Sequence, residues 1–264
     1  MKFRFSRKQL CIPYAAFLIC FVIAPLLVVI YYAFTNGEGR FTLTNFTNFF
    51  TSPNTIGTLC YSMVVAITVT IVCLLVAYPV AYVLARSHMK RKTVLLVLFL
   101  VPMWINFTLR IVALKEVLTV LEGNLAYHPF LNTVIGMTYD FLPFMILPIY
   151  NSMARIKNDV IEAAKDLGAS DAIILFKIII PLTLSGIISG IIMVFVPALT
   201  SFVISDLLGG GKVLLIGNVI EQEFMQGTNW NLGSGLSVVL MIFVIASMAL
   251  MNIFDKDGGG TAVW

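Results

Sequence analysis

The chain has 264 residues, of which 59% are hydrophobic and 11% charged, with a formal net charge of +4 and a mean hydropathy of +0.97. Soluble domains carry roughly 45–50% apolar and about 25% charged residues, so this composition excludes an ordinary soluble enzyme and a disordered chain alike. The basic surplus is no nucleic-acid footprint either, because its residues lie between long apolar runs instead of on one patch.

The expectation is one all-α, polytopic membrane domain over residues 1–264 with six transmembrane helices. A spanning helix needs about 20 apolar residues. The first run, Cys11–Phe34, has 24 residues without a charge. Met1–Lys8 is basic, as in a signal peptide. A signal h-region is only about 7–15 residues long and ends at a small-residue cleavage site. This run is longer and shows no A-x-A exit, so it reads as the first span. Thr58–Ala85 is the second, with 28 uncharged residues, and a short turn over 86–92 follows it. Thr93–Leu109 is the third, followed by Arg110; Asn132–Asn151 is the fourth, interrupted by Asp140. Ile178–Ser205 is the fifth, and Leu232–Phe254, within the uncharged Phe224–Phe254 run, is the sixth. The cysteines Cys11, Cys20, Cys60 and Cys73 all lie in apolar runs, none in a C-x-x-C pair, and read as small apolar side chains, not metal ligands or a disulfide framework.

Lys and Arg set the orientation. Lys2, Arg4, Arg7 and Lys8, then Arg86, Lys90, Arg91 and Lys92, then Arg155, Lys157, Lys165 and Lys177, and finally Lys256 fall on one side. Only Arg40, Arg110, Lys115 and Lys212 fall on the other. The positive-inside rule puts both termini of this multi-pass chain in the cytoplasm. Pro25, Pro79, Pro102, Pro143, Pro148 and Pro197 lie in the spans. Each removes a backbone donor, so a bundle of bent helices around a path is expected. Gly186 and Gly190, four apart, fit a close helix–helix approach.

The connection at 152–183 is the most informative stretch. Asp159 followed by Glu162 fits a capping box, and Val160 to Leu167 make about two turns. Gly168 fits the left-handed residue that ends a helix, and Ser170 fits the cap of a second helix, Asp171–Ile180. Val160, Ile161, Ala163, Ala164 and Leu167 leave the short first helix rich in apolar surface. So short a helix is marginal alone and needs a partner to pack against.

Glu162-Ala163-Ala164, then Gly168, then Ile178–Pro181 resemble the EAA loop of ABC importer permeases. Val101–Asn106, Arg110, Phe141–Met145, Ser205–Gly210 and Gly217–Ile220 resemble the permease subunits of spermidine/putrescine importers. The resemblance covers most of the chain after the second span. It implies the type I ABC importer permease fold, a second homologous permease subunit, two copies of an ABC ATPase, and an extracytoplasmic polyamine-binding protein. It implies no cofactor on this chain, since ATP and Mg²⁺ belong to the ATPase. Val160, Ile161, Glu162, Ala163, Ala164, Leu167 and Gly168 then become the ATPase-coupling surface, and alternating access the transport cycle.

Gly209-Gly210-Gly211-Lys212 is no phosphate loop, because Asp206 stands where the first glycine of G-x-x-x-x-G-K-[ST] belongs and Val213 follows the lysine. It reads as a flexible stretch of the 206–231 loop. No nucleophile and base stand at a defined spacing, so no catalytic residue is expected. Charges at membrane depth are costly and default to functional roles. With aromatic faces beside them, Trp104, Asn106, Tyr139, Asp140, Asp206, Glu221 and Glu223 are the candidate substrate pathway. A structural pairing of Arg110 with Asp140 or Asp206 is the competing reading. Another small organic cation or an anion as cargo, and a stand-alone secondary transporter, are the competing functions.

Overall fold

Apolar runs bounded by polar turns become helices here because a backbone in lipid must satisfy its own hydrogen bonds. The computed structural model describes residues 11–87, 91–225 and 229–255. Lys2, Arg4, Arg7, Lys8, Lys90 and Lys256 of the charge count lie outside the described residues. Four helices are long and apolar enough to cross a membrane: Ile12–Ala33, Pro53–Arg86, Pro129–Ala154 and Trp230–Met251. Two bent pairs, Val94–Trp104 with Phe107–Glu122 and Asp171–Leu182 with Leu184–Thr200, bring the number to six if each is one span. The described residues fall into two compact units, one of residues up to Ile56 with Val219–Phe243, the other of Gly57–Asn218 with the residues from Val244.

In the first unit, a π-helical turn at Ile19–Ile23 precedes Pro25. The wider turn absorbs a ring that has no N–H to offer. The helix ends at Ala33, and two buried asparagines tie down the loop after it. Asn45 Nδ2 donates to Ala33 O at 2.9 Å and Thr35 O at 3.0 Å. Asn231 Nδ2 donates to Thr35 O at 2.7 Å and Tyr32 O at 3.1 Å. Phe34 stacks on Phe41 and tilts against Phe46, closing the loop with aromatic surface.

The second unit is built on the Pro129–Ala154 and Leu184–Thr200 helices, its most extensively packed pair. The expected glycine approach is the reason. A Cβ on Gly186 would stand 2.6 Å from Pro148 O and run into Ser152 Oγ. One on Gly190 would stand 2.6 Å from Met145 Sδ. The Val203–Leu208 helix packs on the Pro129–Ala154 helix, with Ile204 and Leu208 against Gly136, and on the Phe107–Glu122 helix.

Two spans differ from the continuous helices the apolar runs suggest. The third breaks at Ile105–Asn106, where the chain turns by 96°. Pro102 tightens Val101–Trp104 into a 3₁₀ turn, Ile105 is extended, and Asn106 caps the next helix by accepting from Thr108 N at 3.0 Å and Leu109 N at 3.4 Å. The fifth bends by 65° at Thr183. A π-helical turn at Leu175–Ile179 and Pro181 loosen the ladder there, and Thr183 Oγ1 donates back to Ile179 O at 2.8 Å. The helix stops at Thr200, because Ser201 is extended.

Candidate functional site

The short helix of the 152–183 connection spans Asn158–Asp166. Its N-cap is Lys157, with no side-chain capping bond, so the expected Asp159 cap is replaced by an Asp159 inside the first turn. Arg86 explains the shift. From the last turn of Pro53–Arg86 its Nη1 donates to Ile156 O at 3.2 Å and Asn158 Oδ1 at 3.3 Å, and its Nη2 to Met153 O at 3.3 Å. The guanidinium thus fixes both the end of the Pro129–Ala154 helix and the start of the short one. Sequence reading counted Arg86 only as a charge; a contact across some seventy residues leaves no local signal.

The far end matches the expectation. Gly168 has φ +78°, its N–H donates to Lys165 O at 2.8 Å, and Ala169 N donates to Ala164 O at 3.0 Å. That pair of bonds is the Schellman ending. Ser170 then caps the next helix by accepting from Ile173 N at 3.4 Å. The Lys165–Asp171 ion pair, 3.4 Å and exposed, spans the corner.

The candidate coupling residues divide between two faces. Ala164 is buried, and Ile161 and Glu162 line a 510 Å³ polar cavity with Tyr82, Arg86, Lys92 and Asn158. Val160, Ala163 and Leu167 point away, with Leu167 90% exposed. Ile161 therefore belongs with the chain's own cavity, while Val160, Ala163 and Leu167 form the open apolar face.

Deeper in the same unit, Arg110 and Asp140 form a buried ion pair through Nη2 and Oδ1. Arg110 stands one turn after the break at Asn106, which brings it to the Pro129–Ala154 helix. Its Cζ lies 5.9 Å from the centre of the Tyr139 ring. Both charges line a cavity of about 670 Å³ walled by Phe107, Phe141, Phe144 and Phe202, by Met103 and Met193, and by Thr200 and Ser201. One carboxylate, one guanidinium and several aromatic rings in one apolar hollow suit a ligand that is part charged, part hydrocarbon.

The other pathway candidates are elsewhere. Trp104 is 81% exposed, and the Asn106 amide oxygen is engaged as a helix cap. Asp206 accepts a hydrogen bond from Asn218 Nδ2. Asn218, fully buried, also accepts from Leu215 N at 2.9 Å and donates to Phe202 O at 3.2 Å. Gly217 beside it permits close contact, since a Cβ there would stand 2.6 Å from Thr200 O. The Ser205–Gly210 and Gly217–Ile220 motifs are thus two halves of one staple. The glycine run forms a turn that rests on its neighbours at Gly209 and Gly210. Gly210 has φ +57° and lies on the backbone of Ala126, whose carbonyl accepts from Lys212 Nζ at 2.9 Å. Glu221 and Glu223 belong to the first unit, where the Glu223 side chain packs near Gly233.

Bent spans, an open cleft lined by an ion pair, and a corner helix with an open apolar face are the features of a membrane permease subunit. The chain belongs to the family of binding-protein-dependent transport system inner membrane components, whose model matches residues 77–257. It is 38% identical over 249 residues to the spermidine/putrescine transport system permease protein PotB of Haemophilus influenzae, covering 87% of each chain. It is 37% identical over 245 residues to PotB of Escherichia coli, covering 85% of this chain and 89% of that one. Among solved structures it resembles a chain of the bacterial alginate ABC transporter in complex with alginate pentasaccharide-bound periplasmic protein. The TM-score is 0.69 at 12% identity, over 97% of this chain and 96% of that one. This likeness concerns the fold, which is that of type I ABC importer permeases, as the EAA resemblance implied.

Proposed function

We propose that this chain is the permease subunit of an ATP-driven importer that carries polyamines, spermidine or putrescine, into the cytoplasm by alternating access. The observation that carries the reading is the joint presence of the corner helix and the Arg110–Asp140 cavity in a chain 38% identical to a spermidine/putrescine permease. An amphipathic helix whose Val160, Ala163 and Leu167 are open to solvent has unburied apolar surface that a cytoplasmic ATPase covers. Ala164 and Gly168 set its shape, Ile161 and Arg86 seat it on the chain, and the exposed Glu162 belongs with the coupling surface. ATP and Mg²⁺ bind the ATPase, two copies of which work with this chain, a second permease subunit and an extracytoplasmic polyamine-binding protein. The Lys and Arg asymmetry supports cytoplasmic termini.

A polyamine alternates ammonium groups with methylene segments. The cavity offers one carboxylate for the former and phenylalanine faces for both, since cations are drawn to ring faces and hydrocarbon to apolar walls. Trp104, Asn106, Tyr139, Asp206, Glu221 and Glu223 would meet cargo on the way to and from that hollow. The test is uptake of radiolabelled spermidine into proteoliposomes holding the full complex. Uptake that needs ATP, the ATPase and the binding protein is the expected result. Uptake driven by an ion gradient without the ATPase would reject the reading, and uptake of an anion in place of spermidine would reject the cargo.

A further inference from the structure

The Arg110–Asp140 pair is built unlike a structural ion pair. A guanidinium that neutralises a buried carboxylate is frequently bidentate, and it repays its desolvation only when its remaining donors are satisfied nearby. Here only Nη2 reaches Asp140, and Asp140 Oδ1, the atom it reaches, makes no hydrogen bond among the described residues. Nε and Nη1 are buried and have no hydrogen-bond partner among the described residues. Both side chains are only 7% exposed, and both line the 670 Å³ cavity. Such a volume holds on the order of twenty waters or a flexible chain ligand. The Tyr139 ring, 5.9 Å from Cζ, keeps a cation-attracting face beside Arg110 whether or not the carboxylate holds it.

We propose that Asp140 is a cation-exchange station and Arg110 its resident, tethered cation. An ammonium group of the cargo takes over the carboxylate while Arg110 swings back onto Tyr139 and into the cavity. When the ammonium leaves, Arg110 returns. This rests on the polyamine reading above and adds a role to two residues within it. The chemistry explains how the hollow can hold a polycation without trapping it. A bare carboxylate in an apolar hollow would bind an ammonium too tightly to release it. A competitor fixed on the same chain keeps the carboxylate paired at each step. It also adds a repulsive positive charge whenever cargo is present, which favours departure.

The experiment is ATP-driven spermidine uptake by the complete complex in proteoliposomes, normalised to assembled complex. Four variants are compared: Arg110→Gln, Arg110→Lys, Asp140→Asn and the double neutral Arg110→Gln/Asp140→Asn. Exchange requires Arg110→Gln to lower KM severalfold and lower kcat, because the competitor is gone. Arg110→Lys keeps both near wild type. The double neutral, which leaves no unpaired buried charge, assembles normally yet raises KM at least tenfold. A structural pair gives a different pattern. The double neutral then recovers wild-type KM, or Arg110→Gln, where it assembles, shows no fall in KM; either result overturns the proposal. If Arg110→Gln fails to assemble, the double neutral still decides. Wild-type complex that takes up no spermidine defeats the polyamine reading itself; wild-type uptake with an indifferent double neutral defeats only the exchange.

Discussion

Gly168 is where the corner helix is most exposed to a single substitution. Its φ of +78° is left-handed, and nothing lies within 4 Å of the place a Cβ would occupy. A new side chain there therefore meets no clash and pays only the backbone penalty, about 1–2 kcal/mol for an L-residue and less for asparagine. Alanine should thus depopulate the observed corner by roughly fivefold to thirtyfold. Proline is worse. Its φ is locked near −65°, it deletes the 2.8 Å bond to Lys165 O, and it pushes Leu167 before it away from its turn backbone (φ −81°, ψ 8°) toward extended, for at least ~3 kcal/mol. In the reconstituted complex, spermidine moved per ATP hydrolysed should fall in the order Gly, Asn, Ala, Pro, with membrane insertion unchanged. The distinguishing feature is the rank of asparagine above alanine, since asparagine is the larger side chain. An order that follows side-chain size, or a proline variant that stays coupled, would refute the reasoning.

Three further outcomes follow from neighbouring contacts. Leu167→Ser should leave the thermal stability of the chain within about 0.5 kcal/mol, because the side chain is 90% exposed. If the ATPase buries it, affinity should drop by about 2 kcal/mol, roughly thirtyfold, in a pull-down titration of the ATPase. Asn218→Ala strands the Leu215 amide and removes the donors to Phe202 O and Asp206; a loss of about 2–4 kcal/mol should appear as an earlier thermal transition in detergent. Gly186→Val drives a Cβ to 2.6 Å from the Pro148 carbonyl, so folded protein recovered from membranes should fall sharply, consistent with a cost of at least ~2 kcal/mol.

What the sequence disclosed and what it hid differ by range. The corner was legible because Gly168 and Ser170 act on backbone groups within a few residues of themselves. The Gly186 and Gly190 approach was legible because small residues four apart share a helix face. The break at Ile105–Asn106 was present as a polar residue after Pro102, yet an apolar count over the whole run smoothed it away. Asp159 misled because a capping pattern says nothing of Arg86, which recruits Asn158 from a distant helix. The cavity was the least legible feature. Phe107, Phe144 and Met193 are apolar residues in apolar runs, still part exposed in the folded chain, and nothing local marks them as walls of one cleft. Of the seven pathway candidates, Asp140 alone lines that cavity, with Tyr139 behind its partner Arg110.

The arrangement of contacts also bears on which wall of the cavity can move. Arg86 binds Met153 O and Ile156 O, so the corner begins on the end of the Pro129–Ala154 helix. Past the corner the chain reaches Thr183, bends, and continues as the Leu184–Thr200 helix, whose Gly186 lies against Pro148 and Ser152. Both ends of the corner are therefore rooted in one tightly packed helix pair, and a force on it reaches the two helices together. Asp140, Met193 and Pro197 ride on that pair. Met103, Phe107 and Arg110 ride on the broken 94–122 segment, which packs against the Pro129–Ala154 helix far less extensively. Relative motion should fall at the looser contact, and the ion pair crosses it. An ion pair across a moving seam has to be replaceable if the seam is to open, and contact through one nitrogen out of three on Arg110, with no hydrogen bond to Asp140 Oδ1, meets that requirement where a bidentate clamp would not.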